Sequence, residues 1–225
     1  MGYSLAYPIL RTSDLSEAWR VARKLLDIAD LTSSGAMMEV EAFTRTHIGL
    51  PRFLTALHGG WLELVVPAIA ASHAWDLLAS PRDALFPQCI DYWSWKEDGD
   101  VELLMDLTEV TVAALARLPD LPVKLTMEHE QIGSVEDQFL AAVDTDLANI
   151  LWWVGSWPAV PKLALDGQAN YVGIELVMNG EGIEERVPRD DHTLYVHVPS
   201  REDARVQWLA EFVGQTVIGS RIMGY

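Results

Sequence analysis

Residues 134–154 read SVEDQFLAAVDTDLANILWWV, and the assignment of this stretch decides how the chain is organised. Ser134, followed three residues later by Asp137, has the form of a capping box, in which a short side chain and an acid satisfy backbone donors left open at a helix start. Behind it, Phe139, Val143, Leu147, Ile150, Leu151 and Val154 recur at the spacing of an amphipathic helix. The pattern predicts a helix that closes in LWWVGSWP at 151–158.

The same signal stands at two other points. Asp14 with Glu17 opens an unbroken stripe of Leu15, Ala18, Trp19, Ala22, Leu25, Leu26 and Ala29, on which Trp19 is expected to be buried. Ser200 with Asp203 opens a shorter one with Trp208, Leu209, Phe212 and Val213. A fourth helix is expected from near Asp100 to Leu118, where VELLMDLTEVTVAALARL is apolar on most sides and so belongs deep in the fold.

Between these lie short runs rich in β-branched and aromatic residues, bounded by Gly, Pro, Asp or Ser. They are YSLAYPI (3–9), AMMEVEAF (36–43), WLELVV (61–66), QCIDYWSW (88–95), VKLTMEHE (123–130), PKLALD (161–166), NYVGIELVM (170–178) and TLYVHV (193–198). Asn-Gly in MNGEG (178–182) marks a turn, because both residues tolerate positive φ. Strands and helices mix without strict alternation. That predicts an α+β fold with a largely antiparallel or mixed sheet packed with about four helices. No low-complexity linker interrupts 1–225, so one domain is expected, with weak subdivision points at PDLP (119–122) and GSWPAVP (155–161).

The chain carries a formal charge of −17, and residues 61–150 hold −13 of it. Nucleic acid and anionic membrane surfaces both need cationic groups to displace counterions, so neither is an expected partner. A basic protein is, because complementary fields speed encounter. Cys89 is the only cysteine, which excludes an intrachain disulfide and favours a reducing compartment. The N-terminus lacks a basic, then apolar leader, and the most apolar window, WLELVVPAIAASHAW (61–75), is cut by Glu63, Pro67 and His73. A cytoplasmic location is expected.

Motifs for chemistry are sparse. In DYWSWKEDGD (91–100) strand alternation puts Trp93 and Trp95 on one face and Tyr92 on the other, so the rings read as core and the acids as a solvated turn leading into a helix start. LHGGW (57–61) resembles the oxyanion loop of hormone-sensitive-lipase-like hydrolases, but the G-x-S-x-G elbow which that resemblance implies is not in the chain. A two-glycine turn before a strand accounts for it equally well. Glu128 and Glu130 share a strand face that His129 does not, and His192 and His197 are five apart and face opposite ways. There is no H-E-x-x-H, paired C-x-x-C, P-loop or G-x-G-x-x-G. No metal, cofactor or catalytic residue is therefore assigned.

What remains is a binding protein: acidic, non-enzymatic, engaging and inhibiting a basic partner such as a toxin or nuclease, in the manner of an immunity protein. Asp98, Asp100, Glu102, Asp106 and Glu109 are expected to project from the start of the fourth helix as its partner surface. Trp153 and Trp157 are expected to serve as aromatic anchors, a role in which Trp is enriched. The alternatives are a small hydrolase whose carboxylates and histidines form no recognisable motif, and a protein that self-associates through its nine tryptophans.

Overall fold

In the computed structural model the residues described are 4–57, 59–67, 90–95, 100–167, 172–182, 187–200 and 202–224. They form strands β1 (Ser4–Thr12), β2 (Met37–Arg45), β3 (Trp61–Val66), β4 (Ile90–Trp95), β5 (Val101–Asp106), β6 (Pro122–Glu130), β7 (Leu147–Trp153), β8 (Gly173–Met178), β9 (His192–Pro199) and β10 (Ile222–Met223). The helices are α1 (Leu15–Leu26), α2 (Leu50–Ala56), α3 (Glu109–Leu115), α4 (Glu136–Val143) and α5 (Asp203–Phe212). Every strand pair whose register is resolved is antiparallel, so the chain is an α+β protein dominated by sheet. No helix among the described residues is long and apolar enough to cross a membrane.

The first helix start forms as predicted, but the capping box is only half made: the Asp14 N–H donates to the Thr12 hydroxyl at 3.1 Å, and that hydroxyl in turn donates to Glu17 at 2.9 Å. Asp14 accepts from the N–H groups of Ser16 at 2.9 Å and Glu17 at 3.3 Å, and Ala18, Val21, Ala22, Leu25 and Leu26 are buried behind it. Trp19 is only half-buried. Its ring stacks on Trp152 at 5.5 Å between centroids, and the Arg23 guanidinium lies 5.7 Å from it.

The stretch 134–154 is not one helix. α4 ends at Val143, Asp144 turns back at φ 50°, and Leu147–Trp153 is a strand buried from Leu147 to Trp152. A strand covered on both faces shows no period of two, so its apolar residues fell by chance onto the helical spacing. Asp144 and Asp146 break the run because their carboxylates are taken by Arg52, each at 2.6 Å. Nor does Ser134 cap α4, whose cap position is Val135.

The expected helix from Asp100 to Leu118 also divides. Val101, Leu103 and Met105 point inward while Glu102, Leu104 and Asp106 are more open, the alternation of a strand. Helix follows only after Thr108, whose hydroxyl accepts from the Thr111 N–H at 3.1 Å. PKLALD is not a strand either: Pro161–Leu163 is a single 3₁₀ turn that ends at Ala164 with φ 54°. The MNGEG turn is present, with Asn179 supplying the positive φ at 56°.

The residues group into two compact units, Met1–Val40 with His129–Ser134 and Leu147–Tyr225, and Glu41–Glu128 with Val135–Asp146. The chain changes unit within β2 and β6 and beside α4, and not at PDLP or GSWPAVP. The first unit holds the order β10-β1-β9-β8-β7. Register places Tyr7, Val196, Ile174 and Trp152 on the face where α1 and α5 pack. The second unit holds the order β6-β3-β5-β4, and α2 meets α4 through Phe53 and Phe139, 5.6 Å apart.

Candidate functional site

In the second unit, cross-strand register decides which charges meet. Trp61 lies opposite Asp106 and Thr126, Glu63 opposite Leu104 and Lys124, and Val65 opposite Glu102. Directly opposed side chains share a face. Trp61, Glu63, Glu102 and Asp106 therefore stand together with Lys124, and alternation adds Glu128. The reverse face is dry: Leu62, Leu64, Leu103, Met105, Leu125 and Met127 are all buried.

Among the described residues of this unit, three cations are engaged with acids. Lys124 Nζ lies 2.6 Å from Glu41 Oε1, Arg52 bridges Asp144 and Asp146, and Arg45 binds Asp120 at 2.5 Å. The Arg45 hydrogen bond, helped by the His47 N–H, holds the Asp120 carboxyl below the usual carboxylate range. Burial pushes Asp146 the other way, against the Thr44 hydroxyl and Arg52. Each of these cations is paired with an acid outside Glu63, Glu102, Asp106 and Glu128.

The acids expected at the start of one helix are spread over two elements. Asp98 lies outside the described residues. Asp100 precedes β5, Glu102 lies within it and Asp106 ends it, while Glu109 is the first residue of α3, where an acid complements the helix dipole. Glu102 and Asp106 share the sheet face; Asp106 and Glu109 are exposed. The two tryptophans belong to the first unit. Trp153 is half-buried and donates from Nε1 to Glu39 Oε1 at 3.0 Å. Trp157 is fully buried and donates to the His197 carbonyl at 3.1 Å, so it has no surface to offer a partner. Its apolar body and single donor make it a core residue, which corrects the anchor role read from LWWVGSWP.

The first unit also contains a polar cluster that sequence reasoning missed. Ser4 of β1, His197 of β9, Glu175 of β8 and Asn149 of β7 form a chain across four adjacent strands. His197 is paired with both Ala6 and Gly173, so Ser4 and Glu175 reach it diagonally on the same face. Ser4 Oγ is 3.3 Å from His197 Nδ1, His197 Nε2 is 3.0 Å from Glu175 Oε2, and Asn149 donates to Glu175 Oε1 at 3.1 Å. A carboxylate only accepts, so Nε2 carries the proton of that bond.

The order serine, histidine, carboxylate has the geometry of an acyl-transfer triad. Ser4, however, is fully buried, and the C-terminal backbone lies over it. A Cβ at Gly224 would come within 2.1 Å of Ser4 Oγ and 2.9 Å of His197 Nδ1. In this arrangement the hydroxyl helps to join strands and is not presented to a substrate. Beside it is a cavity of about 650 Å³, lined by Glu175, His197, Tyr195, Arg11 and Glu181 together with Pro8, Ile218, Ile222 and Met223. One sequence signal pointed here: Glu175 is the only charge in GIELVM, an otherwise apolar strand.

Of the residues in MEHEQ and HTLYVHV, the His129 side chain lies outside what the structure describes. β9 is flanked by β1 and β8, whereas β6 pairs with β3. Among the described residues no three His, Cys, Asp or Glu side chains form a group that could hold a metal ion. In HGGW, His58 lies outside the described residues, and Gly59 at φ 94° makes the turn into β3.

His192 is buried at the start of β9, with Nδ1 accepting from the Asn179 N–H at 3.1 Å. Burial pushes its pKa below the ordinary value, opposed by the Asp191 and Asp14 carboxylates. The unfolded chain therefore takes up a proton near pH 6.5 that the folded chain refuses. The resulting loss of stability starts as pH falls through that value and is complete below the lowered one. We expect His192→Gln to flatten this part of the curve when unfolding free energy is measured in urea between pH 8 and pH 5. Parallel curves for the two proteins would contradict the assignment.

Comparisons of the chain with protein-family models, with curated proteins and with solved structures find no match. The class that fold and surface define is an acidic, sheet-dominated α+β protein.

Proposed function

We propose that the protein is a non-enzymatic acidic binding protein that engages and inhibits a basic protein partner, as an immunity protein or comparable inhibitor does. The observation that carries this reading is the carboxylate face of the second unit, where Glu63, Glu102, Asp106 and Glu128 share one side of the sheet with Trp61 while Lys124 is paired with Glu41. Fixed negative charge steers a cationic partner into encounter, and a flat aromatic ring supplies burial once contact is made. Strand backbone holds the charges in place, so little ordering cost accompanies binding.

The test begins with capture from source cells and continues with the purified, captured basic protein. Glu102→Lys, Asp106→Lys and Glu128→Lys together are expected to slow association by about tenfold or more and to flatten its dependence on salt. The same variant should fail to suppress the partner's activity at concentrations where the unmodified protein suppresses it. An association rate unchanged by the triple variant would remove this face from the interface.

A further inference from the structure

We infer that the cavity in the first unit is a binding site for a small organic cation, an ammonium group carried on an apolar body. This inference stands apart from the partner surface and shares no residue with it.

The volume, about 650 Å³, is that of a site for a small molecule. Pro8, Ile218, Ile222 and Met223 give it apolar walls, and the last three keep 48%, 46% and 69% of their surface exposed. Apolar side chains left open around a concavity, and not scattered singly, are what a ligand's apolar body would cover. The inner end is different. Glu175 and His197 reach it, and Glu175 is 5% exposed.

The charge at that end is what selects the ligand. Glu175 accepts one hydrogen bond from the Asn149 amide and one from the His197 ring, and each carboxylate oxygen has a second lone pair. Arg11 also lines the cavity, but its guanidinium is held 2.6 Å from Glu181 and 3.7 Å from Asp191, and Glu181 binds Arg189 at 2.9 Å. The rim charges are thus paired among themselves. His197, 3.0 Å from Glu175, offsets that charge only when its ring is protonated, and a carboxylate withdrawn from water otherwise calls for a positive partner. An ammonium ion with three donors would meet Glu175 while its hydrocarbon body lies along Ile218 and Ile222. An anion would face Glu175, and a neutral alcohol would leave the charge unmatched.

The probes are 2-phenylethylamine, 2-phenylethanol and 3-phenylpropionate, titrated into the full chain by calorimetry. Trp fluorescence serves as a second readout, because the Trp153 ring lies 6.2 Å from that of His197. The amine is expected to bind one per chain, the alcohol at least ten times more weakly, and the acid not at all. Glu175→Gln keeps an acceptor for the His197 N–H and should weaken the amine at least tenfold while leaving the alcohol unchanged. Should that variant fold poorly, Ile222→Trp on the exposed edge strand fills the cavity instead and should abolish amine binding without shifting the urea midpoint. Equal affinity for amine and alcohol, no amine binding at millimolar concentration, or amine binding indifferent to the folded variants would each overturn the assignment.

Discussion

Arg205→Ala is expected to destabilise the protein by roughly 3–5 kcal/mol, the range for breaking a buried charged network by removing one partner. Arg205 has no exposed surface although it lies in the first turn of α5. Its guanidinium donates from Nε to Glu202, from one terminal nitrogen to the Pro158 carbonyl at 2.6 Å, and from the other to the Asp166 carbonyl at 2.5 Å. Pro158 and Asp166 flank the segment that contains the Pro161–Leu163 turn, so a single side chain ties both ends of that segment to the helix. Alanine leaves two carbonyls and a carboxylate without their donor and opens a void as well. Arg205→Lys should recover only part of the loss, because one ammonium cannot reproduce a planar fork with fixed donor directions. Urea unfolding of the three proteins measures the series. A loss below about 1 kcal/mol for alanine would mean that water replaces the guanidinium at little cost.

How far the sequence could be read depended on whether an element has one buried face or two. WLELVV alternates strictly, Leu62, Leu64 and Val66 inward, and its limits were read correctly. LANILWW has both faces buried and therefore no period, and with FLAAV before it the helical spacing ran on through Asp144 and Asp146. The two acids were the available signal for a break, since their carboxylates are spent on Arg52, but that pairing links positions more than ninety residues apart. VELLMD was lost in the same way to the helix behind it, with Thr108 as the unread cap. The division into two units was not legible because the chain changes unit inside strands, where no linker composition marks the passage.

The site was legible in part for a related reason. Composition places the excess of acids within 61–150, yet which acids stand together is set by strand register, and Glu63 meets Glu102 and Asp106 only through the pairing of β3 with β5. Ser4, Glu175 and His197 were beyond reach, since Ser4 and His197 are 193 residues apart and meet only because β1 lies beside β9. An isolated Glu within GIELVM was the one available hint. A charged residue in a strand buried on both faces needs internal partners, even where the sequence does not say which.

Trp157→Ala is expected to cost about 3–5 kcal/mol, the usual range for truncating a buried large aromatic, and to fall toward its upper end. Where a site falls in that range depends on how far its surroundings can collapse, and here they are pinned. On one side, the Gly155 N–H donates to the Asp30 carbonyl at 2.7 Å, and the Asp30 N–H donates to the Ser156 carbonyl at 3.0 Å. On the other, the Arg205 guanidinium holds the Pro158 carbonyl. The segment cannot close on the void without giving up one of these bonds. The indole also serves the His197 carbonyl, and Trp157→Phe, which keeps most of the volume, should isolate that hydrogen bond at about 1 kcal/mol. Urea midpoints for the two variants separate volume from bonding. If Trp157 were an interface anchor, its loss would appear in association with the partner; as a core residue, its loss appears in unfolding, and association of the folded fraction should be unchanged. A variant of unaltered stability whose association slows would return Trp157 to the interface and displace the core assignment.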